Sequence, residues 1–186
     1  MVRSIDGMDW TELLIEQADW HWQAQLRPRL AGLTDEEYFW EPVAGAWSLR
    51  PRGTSKVART VGGGEYVFEF EWPAPDPAPV TTIAWRIGHL VVNVFGLRVA
   101  AHFGGPALDY NTFQYAGDAA TALEQLDANY QAWYDGVRTA DLSRPAGPAE
   151  GPYADNPMAT LVLHINRELI HHGAEIALLR DLYRWR

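Results

Sequence analysis

Residues 156–182 read NPMATLVLHINRELIHHGAEIALLRDL, and this stretch fixes both a fold class and a candidate site. Asn156 followed by Pro157 is the arrangement of a helix N-cap with proline at the first helical position. On a helical wheel of about 100° per residue, with His164 at zero, Glu168 falls near 40° and His172 near 80°. Ile165, Leu169, Ile176 and Leu179 fall between about 60° and 140° on the same wheel. The stripe that faces a core therefore holds His172 near its centre and Glu168 at its edge. His164 and His171 fall at the margin and are expected to be semi-exposed.

Three further segments repeat with helical period. Residues 9–30 carry Trp10, Leu13, Leu14, Gln17 and Trp20, with Gly32 placed for a C-cap. Residues 82–103 are apolar on most sides and read as the most buried helix. Residues 118–139 carry the stripe Ala122, Leu126, Tyr130, Trp133 and Val137. The expected fold is all-α: a single domain over residues 1–186, an up-down-up-down four-helix bundle with a small β-hairpin-like insert between helices one and two. In that insert, residues 34–37 read as a capped helical turn. Glu65–Trp72 alternates apolar and acidic residues, as a half-buried strand does, with 47–50 as its partner. Trp10, Trp20, Trp85 and Trp133 are expected in the core.

Composition narrows the chemistry. The chain carries 24 acidic and 15 basic residues, a formal charge of −9. Such a surface repels phosphate backbones and anionic lipid, so neither nucleic acid nor membrane is an expected partner. There is no cysteine, which removes disulfides, thiolate zinc sites, iron–sulfur clusters and a cysteine nucleophile. The apolar run 83–103 is broken by Arg86, His89, Asn93 and Arg98 and reads as a buried helix, not a membrane span. No secretory signal is visible at Met1, so the expected location is cytoplasmic. Lys56 is the one lysine beside 14 arginines, a bias that suggests a high-GC bacterial genome.

A carboxylate and an imidazole on one core-facing stripe are costly unless they share a partner. A divalent metal is one such partner; a direct i,i+4 hydrogen bond between Glu168 and His172 is the other. A metal needs a third ligand from another helix. His89 is the candidate, inside Trp85-Arg-Ile-Gly-His-Leu-Val-Val-Asn93, where Asn93, Gly96 and Ala100 share its side. Two histidines and one carboxylate suit zinc, nickel or iron(II) and leave positions open. His21 and His102 show no functional pattern. Glu168-Leu-Ile-His171 is the one Glu-x-x-His in the chain, and a diiron bundle needs two. His-Glu-x-x-His and Gly-x-Ser-x-Gly are absent, so a zincin protease and a serine hydrolase lack their motifs.

These residues also carry a family resemblance. The chain is similar to the DinB-like superfamily of four-helix bundles, which includes mycothiol-dependent maleylpyruvate isomerases and thiol transferases. Gly32-Leu-Thr-Asp-Glu-Glu-Tyr-Phe-Trp-Glu-Pro42 resembles its loop after helix one, Trp47-Ser48-Leu49 its Trp-Ser step and Ile87-Gly-His89-Leu90 its helix-two motif. Glu168-Leu-Ile-His-His-Gly-Ala-Glu-Ile176, with Leu179-Arg-Asp-Leu-Tyr183, is similar to its last-helix signature. The resemblance implies one divalent metal, zinc first, on His89, Glu168 and His172. The insert 50–80 has no counterpart in the family pattern.

Two functions follow as expectations. One is a metal-dependent thiol transferase or isomerase acting on a small-molecule substrate. Its nucleophile would be a metal-activated low-molecular-weight thiol such as mycothiol, with hydrolysis by metal-bound water as the variant. The other is a non-catalytic metal-binding stress-response or ligand-binding bundle. Arg86 and Arg180 are candidates to meet an anionic cosubstrate, and the aromatic content suggests a homodimer. An opening to the metal is expected on the side bordered by residues 47–55 or 145–153.

Overall fold

The computed structural model describes residues 9–186. The chain is mostly helical with a small three-stranded sheet. The first helix, α1, starts at Trp10–Trp20, passes through a π-helical segment His21–Leu26 and ends at Arg27–Arg29. Asp9 caps it, accepting from the Thr11 and Glu12 amides at 2.9 and 3.2 Å. A short helix α2 (Asp35–Tyr38) is capped by Thr34, at the turn the sequence marks. Then come strands β1 (Leu49–Pro51), β2 (Thr60–Val61) and β3 (Tyr66–Glu69). Helix α3 runs Ile83–His89, through a π-helical segment Leu90–Gly96, to Leu97–His102. Helix α4 (Ala119–Thr139), a 3₁₀ turn (Pro148–Tyr153) and helix α5 (Met158–Arg184) complete the chain.

Helices α1 and α3 each pack against both α4 and α5. The α4 stripe Ala122, Leu126, Tyr130, Trp133 and Val137 is buried throughout. Burying each large side chain of this kind stabilises by roughly 1.5–3 kcal/mol. Tyr130 stacks on Trp22 with ring centroids 3.9 Å apart and donates to Asp19 at 2.9 Å. Gly136 is glycine for a spatial reason: a Cβ there would lie 2.2 Å from the Phe103 ring. Among the described residues one helical span, Ile83–His102, is long and apolar enough to cross a membrane, and 61% of its apolar window is buried inside the protein.

Four sequence expectations change. Trp10 and Trp20 are 57% and 60% exposed, not core. The core face of α1 is carried by Ala18, Trp22, Leu26 and Leu30. Ahead of the π segment the inward face is Leu14, Ile15 and Ala18, and Trp10, Leu13, Gln17 and Trp20 lie on the outward one. Asn156 does not cap α5. The Met158 and Ala159 amides donate instead to the carbonyls of Arg144 and Leu142, at 2.8 and 2.9 Å, so loop backbone does the capping.

The insert is a three-stranded antiparallel sheet, β1-β3-β2, in place of a hairpin. Leu49 faces Phe68 across one pair and Thr60 faces Glu69 across the other. The third strand is two residues long, too short for a period to show. β3 is buried at Val67, Phe68 and Glu69 rather than on one face alone. Glu69 tolerates burial because it accepts from the Ser48 amide at 2.8 Å and the Ser55 hydroxyl at 2.7 Å, with Arg50 at 3.4 Å; a buried carboxylate needs such partners.

This sheet seats the start of α3. Trp47 bonds backbone to backbone with Val80 and Thr82, both at 2.9 Å. The Ser48 and Thr82 hydroxyls share a 2.8 Å bond, and Thr82 caps α3 at Trp85. The Trp-Ser step thus fixes the point from which α3 launches.

Candidate metal centre

His89, Glu168 and His172 come together. One ligand atom from each lies within 4.8 Å of the others, with His89 from α3 and the other two from α5. The α5 wheel is borne out in burial: His172 is buried and Glu168 half-buried. His171 is exposed and His164 half-buried, as their margin positions imply.

Local hydrogen bonds orient each ring. His172 Nδ1 donates to Glu175 Oε2 at 2.7 Å, which leaves the Nε2 lone pair facing Glu168 Oε2 at 3.5 Å. That separation is long for a hydrogen bond. It suits two ligands on one tetrahedral ion, which at 2.0–2.1 Å bonds sit about 3.3 Å apart. A second grouping, His171, His172 and Glu175, does not share this geometry. Its His172–Glu175 contact of 2.7 Å is a direct hydrogen bond, too close for two ligands of one ion. Glu175 is instead placed to fix the tautomer of the His172 ring, and its own Oε1 is held by Arg86 at 3.1 Å.

His89 is framed by residues of its own helix. Trp85, one turn earlier, stacks on it with an interplanar angle of 9°, and Phe68 of the insert stacks in turn on Trp85, with ring centroids 4.7 Å apart. Trp85 is held by its indole donating to the Glu69 carbonyl at 2.8 Å. Asn93, one turn later, has its amide 3.0 Å from His89 Nδ1, while Asn93 Oδ1 is buried without a partner. An amide accommodates either orientation. Turned so that Oδ1 accepts from Nδ1, it satisfies the orphaned oxygen and leaves Nε2 bare for an ion. The donor set and its supports therefore fit a divalent metal.

The family model of the DinB superfamily matches residues 17–176, a span that contains all three residues and most of the chain. The chain belongs to the DinB superfamily. Proteins of this superfamily commonly bind a metal. Searches of curated proteins and of solved structures returned no match.

In this DinB-superfamily chain, burial holds the His89 imidazole well below its ordinary value of 6.5, at about 3, with His172 and Arg86 adding to the shift. The ring is neutral near pH 7, the form a metal requires. Burial pushes the Glu175 carboxyl up, but its hydrogen bond from His172 and the Arg86 charge outweigh that and hold it below the usual range.

The His89 shift sets a pH dependence. Unfolded chains take up a proton on this residue near pH 6.5 and the folded chain does so only near pH 3. Between those values the unfolded state binds more protons, so stability falls as pH drops. The melting temperature of metal-free protein is expected to decline from about pH 6.5 downward. A His89→Leu variant should show a shallower decline, and an unchanged slope would reject this assignment.

The two arginines part company. Arg86 reaches the site, with NH1 3.3 Å from His172 Nδ1 and its guanidinium 5.1 Å from the Trp85 ring centroid. Arg180 does not: it is buried and makes a two-point pair with Glu37 at 2.6 and 2.8 Å, so it is not open to a cosubstrate. Sequence reasoning missed the roles of Glu175 and Trp85. Their signal was present in the spacings, i+3 from His172 and i−4 from His89.

Concavities flank the triad. One is bordered by residues 146–153 together with His164 and Arg167; none of His89, Glu168 and His172 lines it, so it is not the opening to the metal expected on that side. Another, about 270 Å³, reaches Asn93 between Arg59–Phe70 and Tyr110–Asn111.

Proposed function

We propose that this protein is a metal-dependent enzyme of the DinB type, in which His89, Glu168 and His172 hold one divalent ion, zinc before nickel or iron. The four long helices, in this reading, form an up-down-up-down bundle whose interior carries the site. The observation that carries the proposal is the convergence of three ligand atoms from two helices on one point, with Glu175 orienting His172 and Asn93 beside His89. A closed structural zinc site uses four protein ligands; three leave a position for a reacting group.

The ion, when bound, would lower the pKa of a coordinated thiol or water and so supply a nucleophile at neutral pH. The chain has no cysteine, so a thiol must come from a cosubstrate, a low-molecular-weight thiol of the mycothiol kind. The residues do the rest. Trp85 and Phe68 wall off His89 from water on one side. Arg86, beside the site, is placed to meet an anionic group on a small substrate.

The test is a thiol titration. Protein loaded with one equivalent of zinc is mixed with a small thiol and the thiolate absorbance is followed against pH. The thiol is expected to ionise at least about one unit lower than with metal-free protein, as metal-bound groups do. Identical titrations with and without zinc would overturn the thiol reading.

A further inference from the structure

A large cavity lies beside the triad, not on it. It encloses about 750 Å³ between the loop 146–153, the first turns of α5 and Arg98 of α3. That volume is in the range of small-molecule sites. No triad residue lines it, yet two of its lining residues touch Glu168: Arg167 and His164 lie 3.3 and 3.5 Å from Oε1. Glu168 thus turns one oxygen to His172 and the other to the cavity wall.

The charge of the wall runs against the charge of the molecule. In a chain of net −9, the lining brings together two cations, Arg98 and Arg167, against one acid, Glu150, while burial holds the His164 imidazole below its ordinary value and neutral. Glu150 is already engaged, with His102 at 2.9 Å and Arg98 at 3.5 Å. Arg98 donates through NH1 to the Asn93 carbonyl, but its Nε is buried with no partner. Nε is closed to solvent, so Arg98 meets the cavity with the rest of its side chain, which is 23% exposed and whose NH2 Glu150 holds only at 3.5 Å. Arg167, exposed at the rim, offers a second cation. The remaining wall is largely apolar, with Leu161, Leu163 and Pro152.

We propose that this cavity binds a small amphipathic carboxylate, and that this class of compound is the substrate. The carboxylate sits on Arg98 and Arg167, and the apolar body lies against Leu161, Leu163 and Pro152. Glu150 in the same wall disfavours a dianion such as a phosphate ester. The substrate role rests on the metal-dependent reading; the binding rests on the cavity alone.

The probes are 4-phenylbutyrate and its uncharged isostere 4-phenylbutyramide, titrated calorimetrically into the full chain, zinc-loaded and metal-stripped. The acid is expected to bind at least about tenfold more tightly than the amide, the usual margin of a charge-assisted hydrogen bond. Arg98→Gln should bring the acid down to the amide's level. Because Arg98 also ties Asn93 and Glu150, a second variant, Thr160→Trp, fills the cavity from an exposed position on α5 and should abolish binding of both probes. Equal binding of acid and amide, no binding of either to the wild type, or binding unchanged by Thr160→Trp would each overturn the proposal. If the wild-type chain binds the acid but takes up no zinc, the carboxylate site stands, while the metal-dependent reading falls together with the substrate role that rests on it.

Discussion

Replacing His172 with alanine is expected to lower zinc affinity by at least about a thousandfold, the largest effect of any single change in the site. Two ligands on separate helices hold an ion poorly, and a three-ligand site has no spare. Glu175→Gln should cost about 10–100-fold, the range seen when the partner of a ligand histidine is altered. The glutamine keeps an acceptor for His172 Nδ1 but loses the charge that Arg86 also meets. His171→Ala is the control. That ring is adjacent in sequence but exposed, with Glu175 Oε1 3.4 Å away, and its loss should leave affinity within about twofold. Competition with a chromophoric chelator measures all three. If His171→Ala weakens zinc as much as His172→Ala does, the ion sits in the His171–His172–Glu175 grouping and the assignment is wrong.

The second large effect is on stability. Arg180 and Glu37 form a buried ion pair, each less than 5% exposed. Arg180 also donates to the carbonyls of Arg29 and Ala31, so one guanidinium ties α2 and the end of α1 to α5. Arg180→Met leaves Glu37 charged, buried and alone, a change that costs about 3–5 kcal/mol. The double variant Arg180→Met, Glu37→Leu removes both charges and should recover much of that loss, since an apolar pair avoids the desolvation that the ions must offset. Urea unfolding with unchanged m-values measures both. A single variant within about 1 kcal/mol of wild type would mean that water enters and screens the pair.

These two experiments separate features that look alike in sequence. Arg86 and Arg180 both sit within apolar helical runs and both suggest an anionic partner. Arg86 meets Glu175 at the candidate site, whereas Arg180 is consumed by Glu37, more than 140 residues earlier in the chain. No local pattern announces such a pairing, because it depends on where α2 lies against α5.

Sequence by itself determined the helices and their inward faces. Periodicity placed Leu126, Tyr130 and Trp133 on one side of α4, and it placed His172 inward with Glu168 at the edge of α5. It did so because side-chain direction along a helix is a local consequence of 3.6 residues per turn. Where apolar residues mark two faces of one helix the reading breaks: on α1 packing took Leu14, Ile15 and Ala18 inward and left Trp10 and Trp20 outside. Tertiary structure alone decided that His89 faces the Glu168–His172 pair, that Phe68 reaches Trp85 from the insert, that the 146–153 loop walls a cavity, and that Thr60–Val61 adds a third strand. Each joins residues distant in sequence, through packing that no helical or strand period encodes.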